Sequence, residues 1–188
     1  QAVHLFRLAE EKKLILLEGF MYRFFPQMVA AKKIIDSGKI GTIKSLRLSY
    51  AWLLYDFDPN ARRTRASVSA GGGALNDIGC YCIDFLNWVL PDQLPESVLA
   101  TGEFDGDFDL STSAILEYRN GVVATLDCAL NRPSFNGWEV SGTRGSLMIP
   151  RFDWNSGDQM PLYLIDDDGK PHIENFVAED AFLPQFNH

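Results

Sequence analysis

Between residues 44 and 52 the side chains alternate. Leu46, Leu48, Tyr50 and Trp52 fall on one side, and Ser45, Arg47 and Ser49 on the other. Period two over this length predicts a strand with one buried face. Upstream, Ala2, Leu5, Phe6 and Ala9 recur at helical spacing, so the chain opens inside an amphipathic helix. Residues 14–20 follow as a compact apolar run, which predicts a strand buried on both faces, as in a parallel sheet. Pro26 starts a second helix, with Met28, Val29, Ile34 and Ile35 on its apolar side and Gly38 at its end.

Residues 53–70 are polar and without period, which predicts a long loop. After Gly71-Gly72-Gly73, residues 74–90 read as a helix with Ile78, Cys82, Phe85 and Val89 on one face. The remainder predicts three hairpins. Arg119-Asn120-Gly121 joins strands at 113–118 and 122–130. A turn from Gly142 to Gly145 joins 137–141 and 146–149. One at Asp167-Asp168-Gly169-Lys170 joins 161–166 and 173–176. Successive hairpins imply an antiparallel sheet.

Composition narrows the class. Apolar residues make up 46% and charged residues 22% of the 188, as in an ordinary globular domain. The net charge of −8 argues against a nucleic-acid partner, because phosphate binding needs a basic surface. Arg62, Arg63 and Arg65 form the one basic cluster, and Asp56 and Asp58 lie just upstream. No apolar run is long enough for a membrane helix. Cys80, Cys82 and Cys128 do not make a disulfide framework or a zinc ligand set, and His4, His172 and His188 have no metal spacing. A reducing cytoplasm is the expected compartment, and no metal site is expected.

The candidate chemistry lies in Gly71-Gly72-Gly73-Ala74-Leu75-Asn76-Asp77-Ile78-Gly79-Cys80-Tyr81. Asp77 and Tyr81 are four residues apart on the expected helix and share a face, with Asp84 nearby. A phenol beside a carboxylate can exchange a proton with a carbonyl oxygen. The plainer readings stand beside this one. Asp77 also suits the first turn of a helix through the macrodipole, and Tyr81 suits an amphipathic rim. The glycines do not form a dinucleotide fingerprint, because Asn76 occupies the third glycine position and a loop precedes them.

Four stretches occur in order: Glu18-Gly-Phe-Met-Tyr-Arg-Phe-Phe-Pro26, Ser37-Gly-Lys-Ile-Gly41, the glycine-led segment to Tyr81, and Gly142-Thr-Arg-Gly145. Together they resemble the Gfo/Idh/MocA oxidoreductases. The resemblance implies an α+β fold: an open, mostly antiparallel sheet with helices on one face, preceded by a remnant of a Rossmann domain. Residues 1–25 would be that remnant, its last helix and strand. Residues 26–188 would be the substrate and dimerisation domain, truncated at its C-terminal end.

The resemblance also implies NAD or NADP, bound mainly by a domain upstream of Gln1, and a sugar, polyol or dihydrodiol substrate. It makes Tyr81 the proton donor and Asp77 its catalytic partner. Arg23 would lie toward the cofactor, and Arg65, six residues before Gly71, would contact substrate. Family members often carry histidine at this position; tyrosine in its place, here Tyr81, resembles the glucose–fructose oxidoreductase and dihydrodiol dehydrogenase branch. A homodimer through the open sheet face is implied as well, and the chain alone is expected to be inactive. The competing expectation is a non-catalytic dimerisation or ligand-binding module that uses the open sheet. A free-standing hydrolase lacks its constellation of residues.

Overall fold

The computed structural model describes residues 2–54, 71–150, 157–178, 180 and 182–186, apart from the side chains at 134 and 135. The cluster Arg62, Arg63 and Arg65 lies outside the described residues, as does most of the expected 53–70 loop.

An eight-stranded sheet dominates, in the order β2-β3-β4-β1-β5-β6-β7-β8. Its strands are β1 (Ile43–Leu53), β2 (Pro95–Asp105), β3 (Phe108–Tyr118), β4 (Val123–Ala129), β5 (Asn131–Gly142), β6 (Ser146–Ile149), β7 (Gln159–Ile165) and β8 (Pro171–Val177). The β1–β4 pairing is parallel; the other described pairings are antiparallel. This is the α+β open sheet that the family resemblance implies, and its antiparallel pairs include the three hairpins the turn signals predict. β2 was not foreseen. It is exposed along both faces, so it carries no burial period to read.

Among the described residues four α-helices accompany the sheet: α1 (Ala2–Lys12), α2 (Pro26–Asp36), α3 (Cys80–Val89) and the short α4 (Leu183–Phe186). A 3-10 turn, Met21–Phe24, precedes α2, and a π-helical turn, Leu75–Gly79, precedes α3. Pro26 takes the first position of α2, where its missing N–H costs nothing and its fixed φ favours entry.

The core lies between the sheet and the pair α2 and α3. Leu46, Leu48 and Tyr50 of β1 turn inward as their alternation requires, and Ala124, Leu126 and Cys128 of β4 match them. Phe85 and Leu86 of α3 and Met28 of α2 fill the space above. Each such large side chain stabilises the fold by ~1.5–3 kcal/mol. The opposite face carries no described helix.

Residues 14–20 form no strand here. Ile15 is 91% exposed, and Leu14, Leu16 and Leu17 are also exposed. A run built for burial on two faces needs neighbours on both sides, and none of the described strands pairs with it. α1 likewise buries no residue, leaving Leu5 and Phe6 half exposed.

Two of the sequence landmarks prove to be one joint. The β5–β6 turn docks on the residues entering β1: Thr143 N donates to Thr42 O and Arg144 N to Ile40 O, each at 2.9 Å. A Cβ on Gly142 would stand 2.1 Å from the Ile40 carbonyl oxygen, so only glycine fits.

Candidate active site

Helix α3 is set by its entry. Gly73 has φ +114°, and a Cβ there would lie 2.1 Å from Asp109 Oδ1 of β3. Asp109 Oδ2 accepts from the backbone N–H of Leu75 at 2.8 Å and from the Thr112 hydroxyl at 2.6 Å. The chain thus supplies its own carboxylate to the exposed N–H groups at the head of the helix. A phosphate cannot share that place with Asp109, so the glycines serve the cap and not a nucleotide.

One turn on, Gly79 brings the helix down onto β4. A Cβ there would be 2.9 Å from Cys128 Sγ. The sequence predicts plain α-helix across 74–90; the structure widens the first turn to π geometry over Leu75–Gly79. Such turns recur at functional sites.

Asp77 stands on the widened turn, half-buried, and Tyr81 follows on the first turn of α3, also half-buried. Three aromatic rings wall Tyr81: Phe20 at 5.4 Å, Tyr50 at 5.5 Å and Tyr22 at 6.1 Å between centroids. The Phe20 and Tyr50 contacts are edge-on, an arrangement that stabilises by ~0.5–1.5 kcal/mol per pair and fixes the ring. Burial pushes the Cys80 thiol up to about 11, and the charges of Asp77 and Glu18 add to that.

Behind Tyr81 sits a polar clamp. Asp84, one turn beyond Tyr81, accepts from Tyr22 Oη at 2.5 Å, from Arg23 Nε at 2.8 Å and from Arg23 Nη2 at 2.5 Å. The Arg23 guanidinium lies 5.4 Å from the centre of the Trp88 ring, and the Lys32 ammonium 5.7 Å. Tyr22 is fully buried, and desolvation, then the Asp84 charge, holds its phenol far above the ordinary range. For Arg23, desolvation favours the neutral form, but the hydrogen bond and charge of Asp84 outweigh it and the pKa is raised.

The structure therefore brings Asp77, Tyr81 and the Arg23–Asp84 pair to one region. The sequence placed Asp84 beside Asp77 and Tyr81 but did not pair it with Arg23, 61 residues away. Tyr22, Tyr50 and Asp109 were not singled out either. Arg65 lies outside the described residues. Among the described residues no group of three or more His, Cys, Asp or Glu side chains could hold a metal ion.

Residues 28–148 match the family model of the GFO/IDH/MocA C-terminal domain. This chain belongs to the Gfo/Idh/MocA family. It is 33% identical over 156 residues to trans-1,2-dihydrobenzene-1,2-diol dehydrogenase of Xenopus laevis, covering 82% of this chain and 46% of the relative. It is 32% identical over 186 residues to dTDP-3,4-didehydro-2,6-dideoxy-alpha-D-glucose 3-reductase of Actinomadura kijaniata, covering 97% of this chain and 54% of the relative. Among solved structures it resembles KijD10, a 3-ketoreductase from Actinomadura kijaniata in complex with NADP and TDP-benzene. The TM-score is 0.80 at 31% identity, over 99% of this chain and 56% of that one. A levoglucosan dehydrogenase in complex with NADH and levoglucosan gives a TM-score of 0.72 at 25% identity, over 90% of this chain and 48% of that one. The chain spans about half the length of these relatives.

Proposed function

We propose that this chain is the substrate-side half of an NAD(P)-dependent oxidoreductase acting on a carbinol or carbonyl of a sugar, polyol or dihydrodiol. The observation that carries the reading is Tyr81, held half-buried among Phe20, Tyr22 and Tyr50 beside Asp77, in a chain of this family. Dihydrodiol dehydrogenase and 3-ketoreductase activities among the relatives support the reaction class.

Residues 1–25 are assigned to the edge of a nucleotide-binding domain and 26–188 to the substrate domain. The uncovered apolar surface of α1 and residues 14–17 supports that division. Asp109 occupies the N-terminus at the entry to α3, which supports assigning the cofactor's phosphates to the upstream domain. Arg23, 35% exposed in its side chain, is assigned to the cofactor side of the site. Arg65 is assigned to substrate.

The bound nicotinamide supplies or accepts the hydride. In reduction the Tyr81 phenol donates its proton to the substrate carbonyl oxygen; in oxidation the phenolate takes the carbinol proton. A free phenol has a pKa of ~10, so the working enzyme needs a cation near Tyr81 Oη to lower it. The family resemblance assigns that cation to a lysine upstream of Gln1. Asp77 orients the substrate or that lysine. The chain alone is assigned no turnover.

A homodimer through the open sheet face completes the reading. A groove of about 440 Å³ crosses β2, β3 and β4 on that face, with Leu99 and Ile115 beside Thr101, Ser113 and Thr125. Among the described residues the three cysteines are free and no helix is long and apolar enough to cross a membrane. The free thiols support a reducing, cytoplasmic setting.

The test is the full-length reading frame. A strand–GxGxxG–helix unit and a lysine upstream of Gln1, with NAD(P)H formed from sugars or dihydrodiols, support the proposal. An unrelated upstream domain and no nicotinamide-dependent turnover replace it with the non-catalytic dimerisation module.

A further inference from the structure

The widened turn that carries Asp77 is held at both ends by the sheet. At its head, Asp109 of β3 accepts from the Leu75 N–H at 2.8 Å, and it stands so close to Gly73 that a Cβ there would meet Asp109 Oδ1 at 2.1 Å. At its foot, Gly79 rests on β4, with 2.9 Å between Cys128 Sγ and a Cβ built on the glycine. Thr112 of β3, paired with Cys128, joins the two ends. Its hydroxyl donates to Asp109 at 2.6 Å, and its carbonyl accepts from Cys128 Sγ at 3.5 Å.

Asp77 lies between these anchors, and Tyr81 lies just beyond the second. The two are four residues apart. In plain α-helix that step overshoots a full turn of about 3.6 residues. A π turn is wider and takes up the overshoot, so Asp77 comes more nearly in line with Tyr81 than an α-helix would bring it. A carboxylate that serves a reacting phenol has to be held to within ~0.5 Å by the groups around it.

We propose that Asp109 is a positioning residue of the reaction. By capping Leu75 it fixes the widened turn and so sets Asp77 in line with Tyr81; it acts through Asp77. Thr112 supports it by holding the carboxylate against the Leu75 N–H. The inference rests on the oxidoreductase reading above.

The experiment uses the full-length protein, assayed with NAD and NADP on D-glucose, D-xylose, myo-inositol and trans-1,2-dihydrobenzene-1,2-diol. Each variant is assayed at a temperature where circular dichroism shows it folded. On the best of these substrates Asp109→Ala should lower kcat by about tenfold or more, with the cofactor KM within about twofold of the parent. Asp109→Asn, which keeps the accepting oxygen, should restore most of the loss, and Thr112→Val should fall between the two. In an Asp77→Asn background, Asp109→Ala should change kcat by less than about twofold, because the residue through which it acts is already lost. A cap that only stabilises the fold lowers kcat by the same factor in both backgrounds, and that result overturns the assignment. So does an Asp109→Asn protein as slow as Asp109→Ala. The parent's kcat in either Asp109→Ala or Asp77→Asn overturns it as well. Absence of turnover by the parent on all four compounds fails the oxidoreductase reading itself, and the assignment falls with it.

Discussion

Asp84→Ala is the sharpest test of how the site is held. The carboxylate is 11% exposed and accepts three hydrogen bonds, one from Tyr22 and two from Arg23. Removing it strands the Tyr22 hydroxyl, which is fully buried, at a cost of ~1–3 kcal/mol. The Arg23 share is smaller. Its side chain is 35% exposed, so water recovers part of the guanidinium and the lost ion pair contributes only ~1 kcal/mol. The sum is about 2–4 kcal/mol, or roughly 4–16 °C in Tm for a domain of this size. Tyr22→Phe removes one donor and leaves the ion pair, so it should cost about 1 kcal/mol. Urea unfolding of the three proteins, followed by circular dichroism, measures both values. An Asp84→Ala protein within about 0.5 kcal/mol of the parent would refute the clamp.

The other expectations follow from single contacts. Gly142→Ala should destabilise more than Gly79→Ala, because its Cβ meets a backbone oxygen at 2.1 Å and the Gly79 Cβ meets a thiol at 2.9 Å; chemical denaturation ranks them. Asp109→Ala removes the cap on Leu75 N–H and should cost ~0.5–2 kcal/mol in the same assay. Stability should also fall at alkaline pH. Burial raises the Cys128 thiol to about 12 and lifts Cys82 and Tyr22 above their ordinary values. Groups raised on folding contribute fully below their unfolded pKa values and lose that contribution as pH rises toward the folded ones. Tm should therefore decline from about pH 9 upward, and a flat Tm to pH 11 would contradict the burial of these groups.

Much of this was written in local pattern. The alternation from Ser45 to Trp52 is the pleat of β1, and the turns at Asn120-Gly121 and Asp167-Asp168-Gly169 close real hairpins. What the sequence hid is long-range or shared. Asp109 caps a helix 34 residues away, and Arg23 reaches Asp84 across 61. No spacing rule joins residues so far apart. β2 hid because a strand uncovered on both faces needs no period. Residues 14–20 misled in the opposite way: their apolar run reads as a buried strand, yet none of the described strands pairs with it and Leu14, Ile15, Leu16 and Leu17 are exposed. The π-helical turn before α3 ends at Gly79, which lies close against Cys128 of β4, a contact between elements that local propensity does not encode.

The central claim is that Tyr81 moves the proton. The direct measurement is steady-state turnover of Tyr81→Phe in the full-length protein, with cofactor affinity measured alongside. The ring and its packing against Phe20, Tyr22 and Tyr50 survive the change; only the hydroxyl is lost. Turnover should fall by ~100–10,000-fold while cofactor affinity holds. Unchanged turnover would remove Tyr81 from the mechanism.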